Sequence, residues 1–162
     1  MARSVLGVGF LLFASGNGSN LPRLFTIKEL ESKPAIFKEK NMISFPLETF
    51  KEKDVTIQKT ILRLMDEEIG IHPDQVELCN IFSRKFNLIP GRNDIFTAYG
   101  YGIFQGDLSQ TFQPKDTDIT YAGWKTIPEL LRQRVRIEVK PILNHFTETN
   151  HYPELIRRIK AT

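Results

Sequence analysis

TIQKTILRLMDEEIGI, Thr56 to Ile71, is the stretch on which the fold turns. Thr56 is a favoured helix N-cap, apolar residues recur behind it at helical spacing, and Gly70 with Pro73 close by supplies the stop, so one helix is predicted from Thr56 to Ile69. At about 100° per residue Ile57, Ile61, Leu64 and Met65 share one face, widened on one side by Leu62 and Ile69. Glu68 falls inside that apolar arc, and Glu67 lies on its flank beside Arg63. An ionised carboxylate turned toward a core costs several kcal/mol unless it is paired, hydrogen-bonded or bound to a metal. Two explanations stand: an ion pair with a nearby Arg or Lys, or a divalent cation held by Glu67 and Glu68, for which oxygen-preferring Mg²⁺ is suited.

Upstream of the helix, Val5 to Phe13 is a nearly continuous apolar run. With Met1-Ala2-Arg3 before it and Ala14-Ser15-Gly16 after it, the run has the order of a secretory signal. A strand buried on both faces is the preferred reading, because the run ends in the turn signal Gly16-Asn17-Gly18-Ser19 and a second strand follows near Leu24 to Leu30. Lys38 to Lys53 reads as a short strand and a loop. Downstream, Val76 to Phe86 and the aromatic-rich Ile95 to Gln105 read as strands joined by the loop Asn87 to Asp94. After a polar loop, Ile119 to Lys125 is a short strand, and Thr126 with Pro128 and Glu129 opens a second helix. Pro141 is expected to kink or end that helix, and a last helix is expected from Pro153. The order is that of an α+β protein with a mixed sheet between helices.

The 162 residues suit one domain, 1–162, and 41% hydrophobic with 25% charged residues is a globular mixture, which excludes a disordered chain. A net charge of +3 is too small to indicate a nucleic-acid partner, and the basic tail Arg157, Arg158, Lys160 reads as a solvated helix face. Cys79 is the one cysteine, so neither an intramolecular disulfide nor a cysteine metal site is available, which fits a reducing, cytoplasmic setting. No further apolar stretch is long enough to span a membrane. His72, His145 and His151 are too scattered for a metal or triad reading.

RLMDEEIGI, Arg63 to Ile71, resembles the second half of the Nudix hydrolase motif at Arg63, Met65, Glu67, Glu68, Gly70 and Ile71. Counted back without gaps, Val55 stands where that family has its upstream Glu, and Thr49 where it has the loop Gly. Leu64 replaces the Glu that follows the Arg. Asp54 or Glu48 would substitute if the loop is shifted by a residue, a register the sequence leaves open. Weaker similarity extends from Val5 to Leu143, including Ser44-Phe45-Pro46 and the stretch from Asp118 through Trp124 to Pro128-Glu129-Leu130.

The resemblance implies a Nudix-like α/β/α sandwich and a Mg²⁺-dependent (or Mn²⁺-dependent) hydrolysis of a nucleoside diphosphate linked to another moiety. It implies Glu67 and Glu68 as metal ligands, Arg63 orienting them through charge-assisted hydrogen bonds, and Asp118 as the candidate general base. Arg84, Lys85 and Arg92 are candidates to meet phosphates, and Phe96, Tyr99 or Tyr101 to stack on a base. Because Leu64 is three and four residues before Glu67 and Glu68, losing a carboxylate there is expected to weaken the metal site, and a Glu at 64 to rebuild it. The alternative is a Nudix-like nucleotide-binding or regulatory domain without turnover. A homodimer is left open.

Overall fold

The first apolar run becomes a strand covered on both faces. The computed structural model describes residues 5–15, 21–87 and 95–160, with the side chains of 5, 83–85, 87 and 95 left aside. Strand β1 (Val5–Ala14) runs parallel to β6 (Ile95–Phe104) along its whole length and antiparallel to β2 (Arg23–Glu29) and β4 (Leu47–Thr49) on its other side. The short β3 (Ile43–Ser44) and β7 (Ile119–Thr126) pair with β2, and β5 (Val76–Asn87) pairs antiparallel with β6, giving the order β3-β2-β1-β6-β5 with β4 and β7 off this path. Parallel and antiparallel pairs together make the sheet mixed, as expected.

Alternation along β1 divides the core. Val8, Phe10 and Leu12 pack with Ile61, Leu64, Met65 and Ile69 beneath α1 (Ile57–Leu64). Leu11 and Phe13 pack on the opposite face with Leu130 of α2 (Ile127–Leu131), Ile142 and Phe146 of α3 (Val139–Glu148), and Leu155 and Ile159 of α4 (His151–Lys160). Helices thus cover both faces, the α/β/α sandwich. A strand whose successive side chains meet two apolar layers needs apolar residues at every position, which is why Val5 to Phe13 shows no polar alternation.

Two expectations change. The helix begun at Thr126 is only five residues long, and Pro141 lies in the first turn of the separate helix α3. A proline there sacrifices an N–H that has no intrahelical acceptor, so it is tolerated near a helix start and does not end one. Leu62 is exposed, outside the apolar face assigned to it. The turn Gly16-Asn17-Gly18-Ser19, Arg92 and most of the 87–94 loop lie outside the described residues, as does the side chain of Arg84. Among the described residues no helix is long and apolar enough to cross a membrane.

Candidate active site

Helix α1 is capped by Thr56, whose hydroxyl accepts from the Lys59 N–H at 3.2 Å. It continues into one π-helical turn, Met65–Ile69, closed by Gly70 in the left-handed conformation at φ 78°. A Cβ at position 70 would collide with the backbone carbonyl of Gln113, so both conformation and space call for glycine. π-Helical turns inside α-helices concentrate at functional sites because the extra residue re-aims side chains. Here Met65, Glu68 and Ile69 are all buried while Glu67 stays half-exposed.

Glu68 is 5% exposed and its Oε2 accepts from the Leu47 N–H at 2.9 Å. Burial, with the neighbouring Glu48 carboxylate second, holds its carboxyl well above the usual carboxylate range. Glu48 is likewise pushed up, first by burial and then by a hydrogen bond with Glu67. Short strand β4 supplies much of this: the Leu47 amide to Glu68, the Glu48 carboxylate to the cluster, and the Thr49 carbonyl to Arg63 at 2.7 Å.

Arg63 organises the flank. Its Nε and Nη2 donate to Asp54 at 3.2 and 2.7 Å, and Nη1 lies 3.3 Å from Glu48 and 3.6 Å from Glu67. Asp54 is buried and also accepts from the Thr60 hydroxyl at 3.0 Å and the Lys51 N–H at 2.9 Å. The Arg63 guanidinium, followed by these hydrogen bonds, holds the Asp54 carboxyl far below its ordinary value. So the acid that meets the arginine is Asp54, one residue before the ungapped position. Val55 is 72% exposed and adopts φ 65°, ψ −43°, and the Thr56 N–H bonds back to the Asp54 carbonyl at 2.7 Å. This is a γ-turn at a β-branched residue, a strained conformation. The strain accompanies the shift that turns Asp54 inward.

Leu64 is fully buried in the apolar layer under β1, packed with Ile61 and Met65.

Glu48 and Glu68 line a polar cavity of about 140 Å³ with Glu29, Asp116, Asp118, Lys33, Lys38, Arg136 and Glu138. Asp118 reaches this cavity, yet its Oδ2 is 2.6 Å from Lys33 Nζ and 3.9 Å from Lys38 Nζ, and the Lys33 hydrogen bond holds its carboxyl below the ordinary value. A carboxylate held in this way is a weak base. Phe96 begins β6 opposite Leu6 and does not line the cavity. Tyr99 and Tyr101 lie on the other sheet face, their hydroxyls 2.6 and 2.9 Å from Nδ1 of His145 and His151, with Phe82 packed edge-on against both imidazoles. These pairs account for two histidines that spacing alone could not place.

The sequence reading missed the far wall. Glu29 Oε2 is 2.8 Å from Lys38 Nζ, Glu29 Oε1 is 3.1 Å from Arg136 Nη1, and Arg136 Nη2 is 3.0 Å from Glu138 Oε2, all four residues being buried. A signal existed, since Glu29 follows Phe25 and Ile27 at a spacing of two and so belongs to the inner face. Behind the acids, the Glu67 carbonyl accepts from the Lys115 and Asp116 N–H groups at 2.9 and 3.0 Å, tying the 105–118 loop to the helix end.

Glu48, Glu67 and Glu68 offer hard oxygen donors, the chemistry that Mg²⁺ or Mn²⁺ takes. Among the described residues no three His, Cys, Asp or Glu side chains are placed together to hold a metal ion. The donor set fits in kind: Glu48 and Glu68 are carboxyls drawn into one cavity, and a divalent cation would offset the cost of burying their charge.

No family model and no curated protein matches the chain. Solved structures do. The NUDIX domain of Shewanella oneidensis NrtR complexed with ADP ribose superposes with TM-score 0.67 at 14% identity, over 91% of this chain and 89% of that one. RenU, a Nudix hydrolase from M. smegmatis, gives 0.64 at 11%, over 93% and 89%. A C. elegans Ap4A hydrolase binary complex gives 0.61 at 11%, over 97% and 96%. At these identities the likeness is one of fold, and the fold is the Nudix fold.

Proposed function

We propose that this Nudix-fold chain is a Mg²⁺- or Mn²⁺-dependent hydrolase of a nucleoside diphosphate linked to another moiety. The observation that carries the reading is the pair Glu48 and Glu68 in one cavity, with Arg63 held by Asp54 and lying 3.3 Å from Glu48 and 3.6 Å from Glu67. It is supported by the similarity to structures described as holding ADP ribose or hydrolysing Ap4A.

In this reading Glu48, Glu67 and Glu68 hold the cation, which when bound supplies charge neutralisation for the pyrophosphate oxygens and acidifies a water. Arg63 fixes Glu48 and Glu67 by charge, and Asp54 fixes Arg63 through two donors of one guanidinium, a pre-organised fork. The Leu47 amide holds one Glu68 oxygen and so sets the direction of the other. Arg84 and Arg92 remain candidate phosphate contacts and Phe96 a candidate stacking group; the cavity itself offers Lys33.

A second reading, nucleotide binding without turnover, is favoured by one observation: Asp118 is ion-paired to Lys33 and poorly suited to draw a proton. The deciding experiment is a screen of nucleoside diphosphate derivatives with Mg²⁺ or Mn²⁺, comparing wild type with Glu68→Gln. Hydrolysis lost in Glu68→Gln supports the enzyme. Equal product release by both proteins removes the mechanism, and metal-dependent binding without release leaves the second reading.

A further inference from the structure

At the mouth of the carboxylate cavity the chain leaves β2 and returns as a small hairpin. Lys33 and Lys38 bond reciprocally through their backbones, N–H to carbonyl, at 2.8 and 3.2 Å, enclosing Pro34-Ala35-Ile36-Phe37. The base of the hairpin is pinned as well: the Lys40 N–H donates to the Ser32 hydroxyl at 2.9 Å, and Glu39 pairs with Arg134. The hairpin is therefore held at both ends, and what it presents is unusual.

Among the described residues six large hydrophobic side chains are exposed, and two of them, Ile36 at 41% and Phe37 at 39%, sit together on this tip. Phe37 is held there at φ 57°, the left-handed region that bulky residues rarely occupy. Strain of this kind persists where surrounding structure enforces it, and it clusters at ligand clamps. The tip also divides two spaces. Ile36 lines the carboxylate cavity together with Lys33 and Lys38, whereas Pro34 and Phe37 line an adjoining groove of about 590 Å³ that shares Lys38 with the cavity. Of the three cations in the cavity, Lys38 and Arg136 are buried and neutralised by Glu29, Glu138 and Asp118, while the Lys33 side chain is 49% exposed. A half-exposed ammonium, paired with Asp118, thus stands beside an apolar lip in the cavity that Glu48 and Glu68 line.

We infer that the Lys33–Lys38 hairpin is the recognition lip for the substrate, Lys33 taking a phosphate oxygen, Phe37 stacking on the nucleobase from the groove side and Ile36 packing against the nucleotide from the cavity side. This rests on the hydrolase reading of the carboxylate site and adds to it the residues that select a nucleotide over bare pyrophosphate. An anion arriving at the mouth competes with Asp118 for Lys33, an exchange of one oxygen partner for another that needs no backbone movement. A planar base offers Phe37 a face at little entropic cost, and base–aromatic stacking is sequence-tolerant because every base has one. The seat lies on the loop after β2, and Phe96 lines neither of the two spaces beside it.

Calorimetric titration of the whole chain with Mg²⁺ separates the parts, using ADP and inorganic pyrophosphate as the two probes. Phe37→Ser is expected to weaken ADP about tenfold, within the range for removing one stacking side chain, and to leave pyrophosphate unchanged. Ile36→Ser acts in the same direction, and Lys33→Gln weakens both probes. Because these side chains are exposed, the variants keep the wild-type melting temperature, which is measured alongside. ADP binding unchanged in both Phe37→Ser and Ile36→Ser overturns the lip, while loss of Mg²⁺-dependent pyrophosphate binding in Glu68→Gln would still uphold the carboxylate site. A wild type that binds neither probe overturns both. A wild-type dimer that Phe37→Ser dissociates, with ADP affinity intact, assigns the tip to self-association and also overturns the proposal.

Discussion

Replacing Asp54 by Ala tests whether the shifted acid does the work that the ungapped register would have given to position 55. The substitution removes two guanidinium hydrogen bonds, the Thr60 hydroxyl bond and the Lys51 amide bond from a buried carboxylate. Breaking a buried pair by deleting one partner costs about 3–5 kcal/mol. Arg63 keeps Glu48 at 3.3 Å and the Thr49 carbonyl at 2.7 Å, so the low end, about 3 kcal/mol, is expected. For a chain of this size that is a fall in melting temperature of about 6–12 °C. The pH dependence follows from the direction of the shift. The folded carboxyl titrates below the unfolded one, so its stabilisation is complete above the unfolded value of about 4 and is lost as pH falls beneath it. Urea denaturation of both proteins should therefore show the full difference at pH 7 and a shrinking one below pH of about 3.5. The double variant Asp54→Ala, Val55→Glu is not rescued, because Val55 points to solvent. A loss under about 1 kcal/mol at pH 7, or full rescue by Glu at 55, would refute the assignment of Asp54 as the partner of Arg63.

Glu68→Gln should stabilise the metal-free protein, and more so at pH 8 than at pH 5. The buried carboxyl titrates above its unfolded value, so wild-type stability declines as pH rises between the two, a decline the amide lacks; parallel pH profiles would sink this. Saturating Mn²⁺ should raise the melting temperature of wild type and not of Glu68→Gln, read by thermal scans with and without chelator. Leu64→Glu should lose at least about 3 kcal/mol and bind Mn²⁺ no better, since it places a charge in the apolar layer; tighter binding would instead put position 64 at the metal site. Val55→Gly should be neutral or gain up to about 1 kcal/mol, because relief of the positive φ outweighs the added chain entropy; a clear loss would show that the turn is unstrained.

What was legible in the sequence follows from what local pattern can encode. The β1 run, the Thr56 cap, the Gly70 stop and the inward Glu68 are set by residues within a few positions of one another, and the structure has them as read. Whether Asp54 or Glu48 substitutes for the missing acid stays open in the sequence because a γ-turn at Val55, a backbone conformation that β-branched residues disfavour, moves the register by one. Leu64 lies in the apolar layer that its neighbours Ile61 and Met65 assign it. The Glu29–Arg136 pair joins residues separated by 107 positions, and no periodicity spans that distance. Pro141 reads as a kink or a stop because a proline inside a helix and a proline opening one look alike until the preceding boundary is known.

The two amides of Lys115 and Asp116 that grip the Glu67 carbonyl, with Gly70 pressed against Gln113, make the irregular stretch after β6 a gauge for the helix end. Adding or deleting a residue between Gln105 and Asp118 would drag the π-turn with it and re-aim both acids at once. Length changes usually tolerated in surface connections should here register as lost function with the core untouched.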